Sequence, residues 1–566
     1  METQKLVIYQ LFPRLFGNKS TNLIVNGGRD ENGCGKLNDI NDIALSELKK
    51  MGVTHVWLTG VIEHAIVKGY PANGIEDGNP LLIKGNAGSP YAIKDYYDVN
   101  PDLATDVSER LTEFKELVKR CHAQGLKVII DFVPNHLARE YKSDMKPEYI
   151  DDFGVHDDHS KAFSANNNFY YLPSSTLQLP TELTQRFPEC NYEETPAKVT
   201  GNDRFVAEPD VNDWYETIKL NYGVDYENGG TKHFDPIPDT WLKMKDVLSY
   251  WNSLGVDGFR CDMVEMVPVE FWAWLIPQIK QISPWMCFIA EVYNPKLYQS
   301  YIQCGGFDYL YDKVGLYDTL RSVMCHNKSA TAISECWQNL QGIDKNMLRF
   351  LENHDEQRIA SHHFVGQPQR AIPAMALSTF LHQGPVMLYN GQEHGEQAVG
   401  ISGFSGDDGR TTIFDYWNMP EHQKWMNNGA FDGALLSDEH KQLRQAYADM
   451  FKYAQLPAIR DGLFYDVMWQ NNDVGLFNKH RCYAFIRYSS TQQLLIICNF
   501  DDTSQHVHLK IPSDALQILD IPRPILVRFA NIADQQLSSI GSEELINDGL
   551  KLIIPAFGYQ ILDISS

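Results

Sequence analysis

Four short acidic segments each follow or close an apolar run: Asp131-Phe-Val-Pro-Asn-His136, Gly258-Phe-Arg-Cys-Asp262, Phe288-Ile-Ala-Glu291 and Phe350-Leu-Glu-Asn-His-Asp355. In an extended strand alternate side chains share a face, so Arg260 and Asp262 point the same way, and the guanidinium keeps the carboxylate ionised and oriented. Glu291 follows Met286-Cys-Phe-Ile-Ala, an apolar setting in which a carboxyl group keeps its proton toward neutral pH. An ionised carboxylate near a protonated one is the pairing that opens a glycosidic bond, one acting at the anomeric carbon and the other protonating the leaving oxygen. Residues this far apart in sequence meet when they sit at the C-terminal tips of successive strands of a parallel α/β barrel.

The elements that would position them alternate along the chain. Val7-Ile-Tyr-Gln-Leu-Phe12 reads as a first strand, residues 43–50 as a helix stopped by Gly52, and His55-Val-Trp-Leu58 as a second strand. Val107, Leu111, Phe114, Leu117, Val118 and Cys121 recur at helical spacing, and residues 128–133 follow as a buried third strand. From 137 to 212 the pattern breaks into Asn, Asp, Ser, Pro and aromatic residues. A structureless loop of that length is improbable inside a compact domain, so an inserted domain is expected there. Alternation resumes with a helix at 242–254, strand four into Asp262, a helix at 269–282 and strand five into Glu291. Residues 307–311, 347–352 and 386–388 supply strands six to eight. Beyond about 460, β-rich runs such as Cys482-Tyr-Ala-Phe-Ile-Arg-Tyr488 and Gln493-Leu-Leu-Ile-Ile-Cys498 alternate with turns, as in an antiparallel sandwich. The expected fold is a TIM (β/α)8 barrel built from 1–136 and 213–460, an insert at 137–212 after strand three, and a C-terminal β-sandwich at 461–566.

In order and wording the four segments resemble the signature regions of the α-amylase superfamily, glycoside hydrolase family 13. The resemblance implies Asp262 as nucleophile with Arg260 as its partner, Glu291 as general acid/base, and Asp355 as a third carboxylate that grips substrate hydroxyls as the oxocarbenium-like state forms. His136 and His354 would hydrogen-bond sugar hydroxyls in the same subsite. Tyr91 and Asp95, in Ser89-Pro-Tyr-Ala-Ile-Lys-Asp-Tyr96, resemble the segment after strand two that offers a stacking aromatic at the cleavage point, although Asp95 reads equally as a core hydrogen-bonding residue. Arg358 resembles a further position near the non-reducing subsite. Glu208-Pro-Asp-Val-Asn212 resembles a fifth region, which implies that Asp210 and Asn135 are calcium ligands stapling the insert to the barrel. No organic cofactor is implied.

The implied activity is retaining hydrolysis of α-1,4-glucosidic bonds in starch, glycogen or maltooligosaccharides. An α-glucosidase or α-glucan transglycosylase would use the same intermediate. A non-catalytic binding subunit is disfavoured, because such relatives lose the carboxylates kept here. The chain departs from many α-amylases at Glu265-Met266, where those carry a Lys-His pair, so binding on the leaving-group side stays open. The stretch from 215 to 240 is longer than the usual link to strand four.

Composition narrows the partners. The 566 residues exceed one ordinary domain, and a formal charge of −24 disfavours nucleic acid and anionic lipid while leaving a neutral polysaccharide unaffected. Met1 to Gln10 has no basic start with a long apolar stretch, and no window approaches the ~20 apolar residues that span a bilayer. Ten cysteines lie scattered without CxxC pairs, which suits free thiols in a reducing compartment. A cytoplasmic location, without membrane association, is expected. Cys261 reads as a small packed residue.

Overall fold

The computed structural model describes residues 4–340 and 342–565; the first three residues of the N-terminal segment lie outside them. Eight parallel strands form one sheet: β1 (Val7–Leu11), β2 (His55–Leu58), β3 (Lys127–Phe132), β4 (Gly258–Cys261), β5 (Cys287–Ala290), β6 (Tyr309–Tyr311), β7 (Met347–Leu348) and β8 (Val386–Tyr389). Neighbours in sequence are neighbours in the sheet, and β8 lies beside β1. A parallel bridge between Arg349 and Val386, with Met387 N donating to Arg349 O at 2.8 Å, joins β7 to β8 and closes the barrel.

Helices Asp42–Lys50, Arg110–Ala123, Asp239–Ser253 and Val269–Ile282 turn an apolar face to the strands. The first is capped by Asn41, whose side chain accepts from Ala44 N, and ends with Lys49 and Lys50 against the negative end of its dipole. Inside the barrel Ile8, Trp57, Ile129, Ile289, Leu348 and Met387 form a cluster of their own, apart from the core between strands and helices.

Register carries that inward row up to the carboxylates. Arg260 lies level with Asp131 on one side and Ile289 on the other, and Cys261 is level with Ala290. Period-two alternation then sends Ile129 and Asp131, Gly258, Arg260 and Asp262, and Cys287, Ile289 and Glu291 to the interior, with the charged members highest. Gly258 is required beneath Arg260, since a Cβ there would meet Cys287 O at 2.9 Å.

The chain between β3 and the helix at Asp239–Ser253 leaves the barrel and returns. His136–Ala138 pairs antiparallel with Thr217–Lys219, and Tyr171–Leu172 with Ala197–Lys198. The unexplained length of 215–240 is thus the return strand followed by a hairpin of Val224–Asp225 with Thr231–Lys232. β7 is shorter than expected, because beyond it the chain turns out of the sheet at Glu352, which accepts from Arg358 Nη1 (2.8 Å) and Ile359 N (2.6 Å).

The C-terminal part is an antiparallel six-stranded sheet, with Cys482–Tyr488, Gln493–Asn499 and Tyr559–Ser565 at its centre, packed with a two-stranded sheet of Gln505–Leu509 and Leu550–Ile554. Buried Arg487 ties it to the barrel by donating to Leu381 O, Ala458 O, Ile459 O and Gly462 O. Among the described residues no helix is long and apolar enough to cross a membrane.

Candidate active site

A cavity of about 240 Å³ opens at the C-terminal end of the strands, and Asp262, Glu291, Asp355, His136, His354 and Tyr91 all line it. Arg260 organises its floor. Fully buried, it directs Nη1 to Asp262 Oδ1 (2.9 Å) and, more distantly, to Asp131 Oδ1 (3.3 Å), while Nη2 forms an ion pair with Glu291 Oε2 (2.9 Å) and Nε donates to Tyr311 OH (3.1 Å). One guanidinium therefore spans two carboxylates on neighbouring strands.

The two are held differently. Asp262 Oδ2 is buried without a hydrogen-bond partner, leaving its lone pairs unengaged. Glu291 has both oxygens engaged: Oε1 accepts from Tyr293 OH at 2.6 Å and Oε2 from Met263 N at 2.9 Å. Met263 reaches that position with φ +43°, a left-handed conformation that costs a non-glycine residue about 1 kcal/mol or more. The donors replace the purely apolar surroundings that the preceding run suggested for Glu291. Burial, then the neighbouring Glu291 carboxylate, pushes the Asp262 carboxyl well above its ordinary range, against the pull of Arg260.

Asp355 is the most open of the three, with 41 % of its side chain exposed. Desolvation works upward on it, but His354, at 3.0 Å from Nε2 to Oδ2, and the Arg260 and Arg410 charges outweigh that and hold it at about 2. Gln10 Nε2 lies 2.8 Å from His354 Nδ1, which turns Nε2 toward Asp355 and Tyr91 OH (2.6 Å). Tyr91 stacks on His354 with ring centroids 5.1 Å apart and passes its own proton toward Asp131 Oδ1 (3.3 Å), whose other oxygen accepts from Trp57 Nε1 (2.9 Å). His136 is kept neutral: burial, then the Lys219 and Lys84 charges, pushes it down to about 3.

Two expected substrate residues stand behind the cavity instead of in it. Asp95 is buried and saturated, accepting from Ser143 OH and Tyr97 N on one oxygen and from Asp144 N and Met145 N on the other, so it anchors the start of the insert. Arg358 is buried over the Tyr389 ring, 4.0 Å from its centroid, and is consumed by Glu352 and Thr411. Conversely, Trp214, Tyr293 and the buried Lys84–Glu216 pair (3.0 Å) line the cavity and were not singled out from sequence. Asp131 and Gln10 support it from below. Asp131 opens one of the acidic segments, which was the available signal; Trp214 lies two residues past the Glu208–Asn212 segment.

A calcium ion held by Asn135 and Asp210 does not fit these residues. Asn135 Oδ1 already accepts from the buried Lys219 ammonium at 2.8 Å, and its Nδ2 donates to Gly201 O at 2.7 Å. Asp210 is exposed and turns Oδ1 to the N–H of Asn212. A cation already occupies the position opposite Asn135, and a divalent ion beside an ammonium would meet repulsion in place of the six or more oxygens it needs.

The family described as the α-amylase catalytic domain matches residues 10–282. α-Amylase MalA of Haloarcula japonica is 25% identical over 401 residues, 69% of this chain and 44% of the relative, so the chain spans less than half of that protein's length. A Bacillus cyclomaltodextrinase is 23% identical over 88% of this chain and 72% of its own. Among solved structures, the maltogenic α-amylase AmyB of Thermotoga neapolitana aligns with a TM-score of 0.62 at 20% identity over 100% of both chains. The Geobacillus thermoleovorans α-amylase complexed with acarbose aligns at 0.63 and 20%, covering 100% of this chain and 99% of its own. Barrel, site and family profile thus agree: residues 10–282 are similar to the catalytic domain of the α-amylases, and the whole chain shares the fold of solved α-amylases.

Proposed function

We propose that this protein hydrolyses α-1,4-glucosidic bonds in starch-type glucans and maltooligosaccharides by a double displacement. The observation that carries the reading is the Arg260 fork, which sets Asp262 beside Glu291 and leaves Asp262 Oδ2 unengaged. Once ionised, Asp262 Oδ2 attacks the anomeric carbon, the bond from that carbon to the leaving oxygen breaks, and the proton carried by the Asp262–Glu291 pair passes through Glu291 to that oxygen. Glu291 then takes a proton from water, whose oxygen displaces Asp262 and regenerates the carboxylate. Asp355, held low by His354 and the Arg260 charge, and His354 grip the hydroxyls of the sugar at the cleavage point, and the Tyr91 face suits the C–H groups of a pyranose. The relatives, an α-amylase and a cyclomaltodextrinase among them, support an α-glucan substrate. The ten cysteines form no disulfide, which supports a reducing compartment such as the cytoplasm.

A time course on maltoheptaose that resolves chain lengths tests the reading. Shorter α-glucans alone are expected. Products longer than the substrate would make a sugar the acceptor, and an unchanged substrate would refute the assignment.

A further inference from the structure

The misfit between Asn135 and calcium has a positive counterpart. Lys219 has only 1 % of its side chain exposed, and its ammonium lies 2.8 Å from Asn135 Oδ1 and 2.6 Å from Asp203 Oδ1, with the Tyr226 ring 5.6 Å away. Asn135 belongs to the tip beyond β3, Asp203 to a turn of the insert, and Lys219 to the return strand, where it stands opposite His136. The turn is pressed against this tip. Gly201 O accepts from Asn135 Nδ2, Gly201 N donates to Thr217 Oγ1 (3.2 Å), and a Cβ on Gly201 would meet His136 Cβ at 2.8 Å. Backbone bonds follow the same seam, with Lys219 N donating to Val199 O and Leu220 N to Asn135 O, each at 2.9 Å.

We infer that the Lys219 ammonium is the cation of this junction: the protein staples its insert to the barrel with a side chain of its own and needs no calcium to do so. A single positive charge between one carboxylate and one amide oxygen is balanced, and the buried Asn135 amide keeps both its oxygen and its nitrogen satisfied. The same staple fixes the backbone of His136, whose imidazole lines the substrate cavity. The inference does not rest on the reading of the reaction, because its test reads folding instead of turnover.

The test compares thermal melting and limited proteolysis of the full chain after EDTA treatment and dialysis, with and without millimolar calcium chloride, for the wild type and Lys219→Met. The wild type melts at the same temperature in both conditions. Lys219→Met melts several degrees lower and is cut in the insert at least about tenfold faster, because Asp203 and Asn135 lose their shared partner. A wild-type melting point that rises with calcium or falls on chelation overturns the inference, as does a Lys219→Met variant that melts and is cleaved like the wild type. Should Lys219→Met not fold, Asp203→Asn, changed at a half-exposed side chain, serves instead: a lower melting point with faster cleavage of the insert supports the staple, and no change overturns it.

Discussion

Replacing Arg260 by lysine keeps one positive charge under the site but removes the fork that reaches Asp262 and Glu291 together, each at 2.9 Å. An ammonium ends its stem nearer the backbone and serves one carboxylate at a time. Losing one charge-assisted contact costs about 1.5–3 kcal/mol, and if it is felt in the transition state, kcat falls roughly 10- to 100-fold. The same change acts on protonation. Moving the charge from about 4 to about 6 Å from Asp262 at an effective dielectric constant of about 20 weakens the attraction by roughly 1.4 kcal/mol, about one pH unit. Asp262 is already raised by burial and by Glu291, and Arg260 opposes the rise, so weakening that opposition raises it further. The nucleophile is then ionised only at higher pH, and the acidic limb of kcat/KM moves up by about one unit. Rates on an aryl α-maltoside from pH 4 to 8, with melting curves as a control for folding, measure both effects. An acidic limb that stays put or moves down, or a loss confined to KM, would refute the role given to Arg260.

Glu291→Gln removes the proton donor, so hydrolysis of maltoheptaose should fall by about 10²–10⁴-fold, while an activated aryl glycoside whose leaving group needs no proton loses far less at the first step. Equal losses on both substrates would count against the acid role. Elsewhere, burial, then the Asp98 charge, lifts the Glu63 carboxyl to about 8, so it folds protonated. Its folded value lies above the ordinary 4.5, so stability is fully present below about pH 4.5 and is lost as pH rises toward 8, by at most about 1.4 kcal/mol per unit. Glu63→Gln should therefore melt higher than the wild type at pH 8, with the gap closing at pH 4.5; a gap that is constant with pH would contradict this.

The barrel and its three carboxylates were legible because two short-range signals coincided: period-two alternation, which fixes what faces inward, and acidic residues where each strand ends. Ile129 with Asp131 and Ile289 with Glu291 are the same alternation one step apart. The failures share a cause, which is that long-range partners decide them. Asp95 reads equally as a substrate ligand and as a core hydrogen-bonding residue in the sequence, and only Ser143, 48 residues on, decides for the second by claiming its oxygen. Asn135 looked like a metal ligand until the return strand brought up Lys219, 84 residues away; strands of three residues carry too little periodicity to announce that pairing. Arg358 belongs to Glu352, six residues back, in the segment that also cut β7 short. Tyr293 was legible only as an aromatic residue near Glu291, since its hydrogen bond depends on the path taken after β5.

The most direct measurement of the central claim is to trap the covalent intermediate. Incubation with 5-fluoro-α-D-glucosyl fluoride, followed by proteolytic digestion and mass spectrometry, locates any glycosyl group on the chain. A double displacement on Asp262 gives one fluoroglucosyl unit per protein on the peptide carrying Asp262, and none on an Asp262→Asn variant. A label on Glu291 or Asp355, or turnover with no covalent species and the β-anomer appearing first, would contradict it.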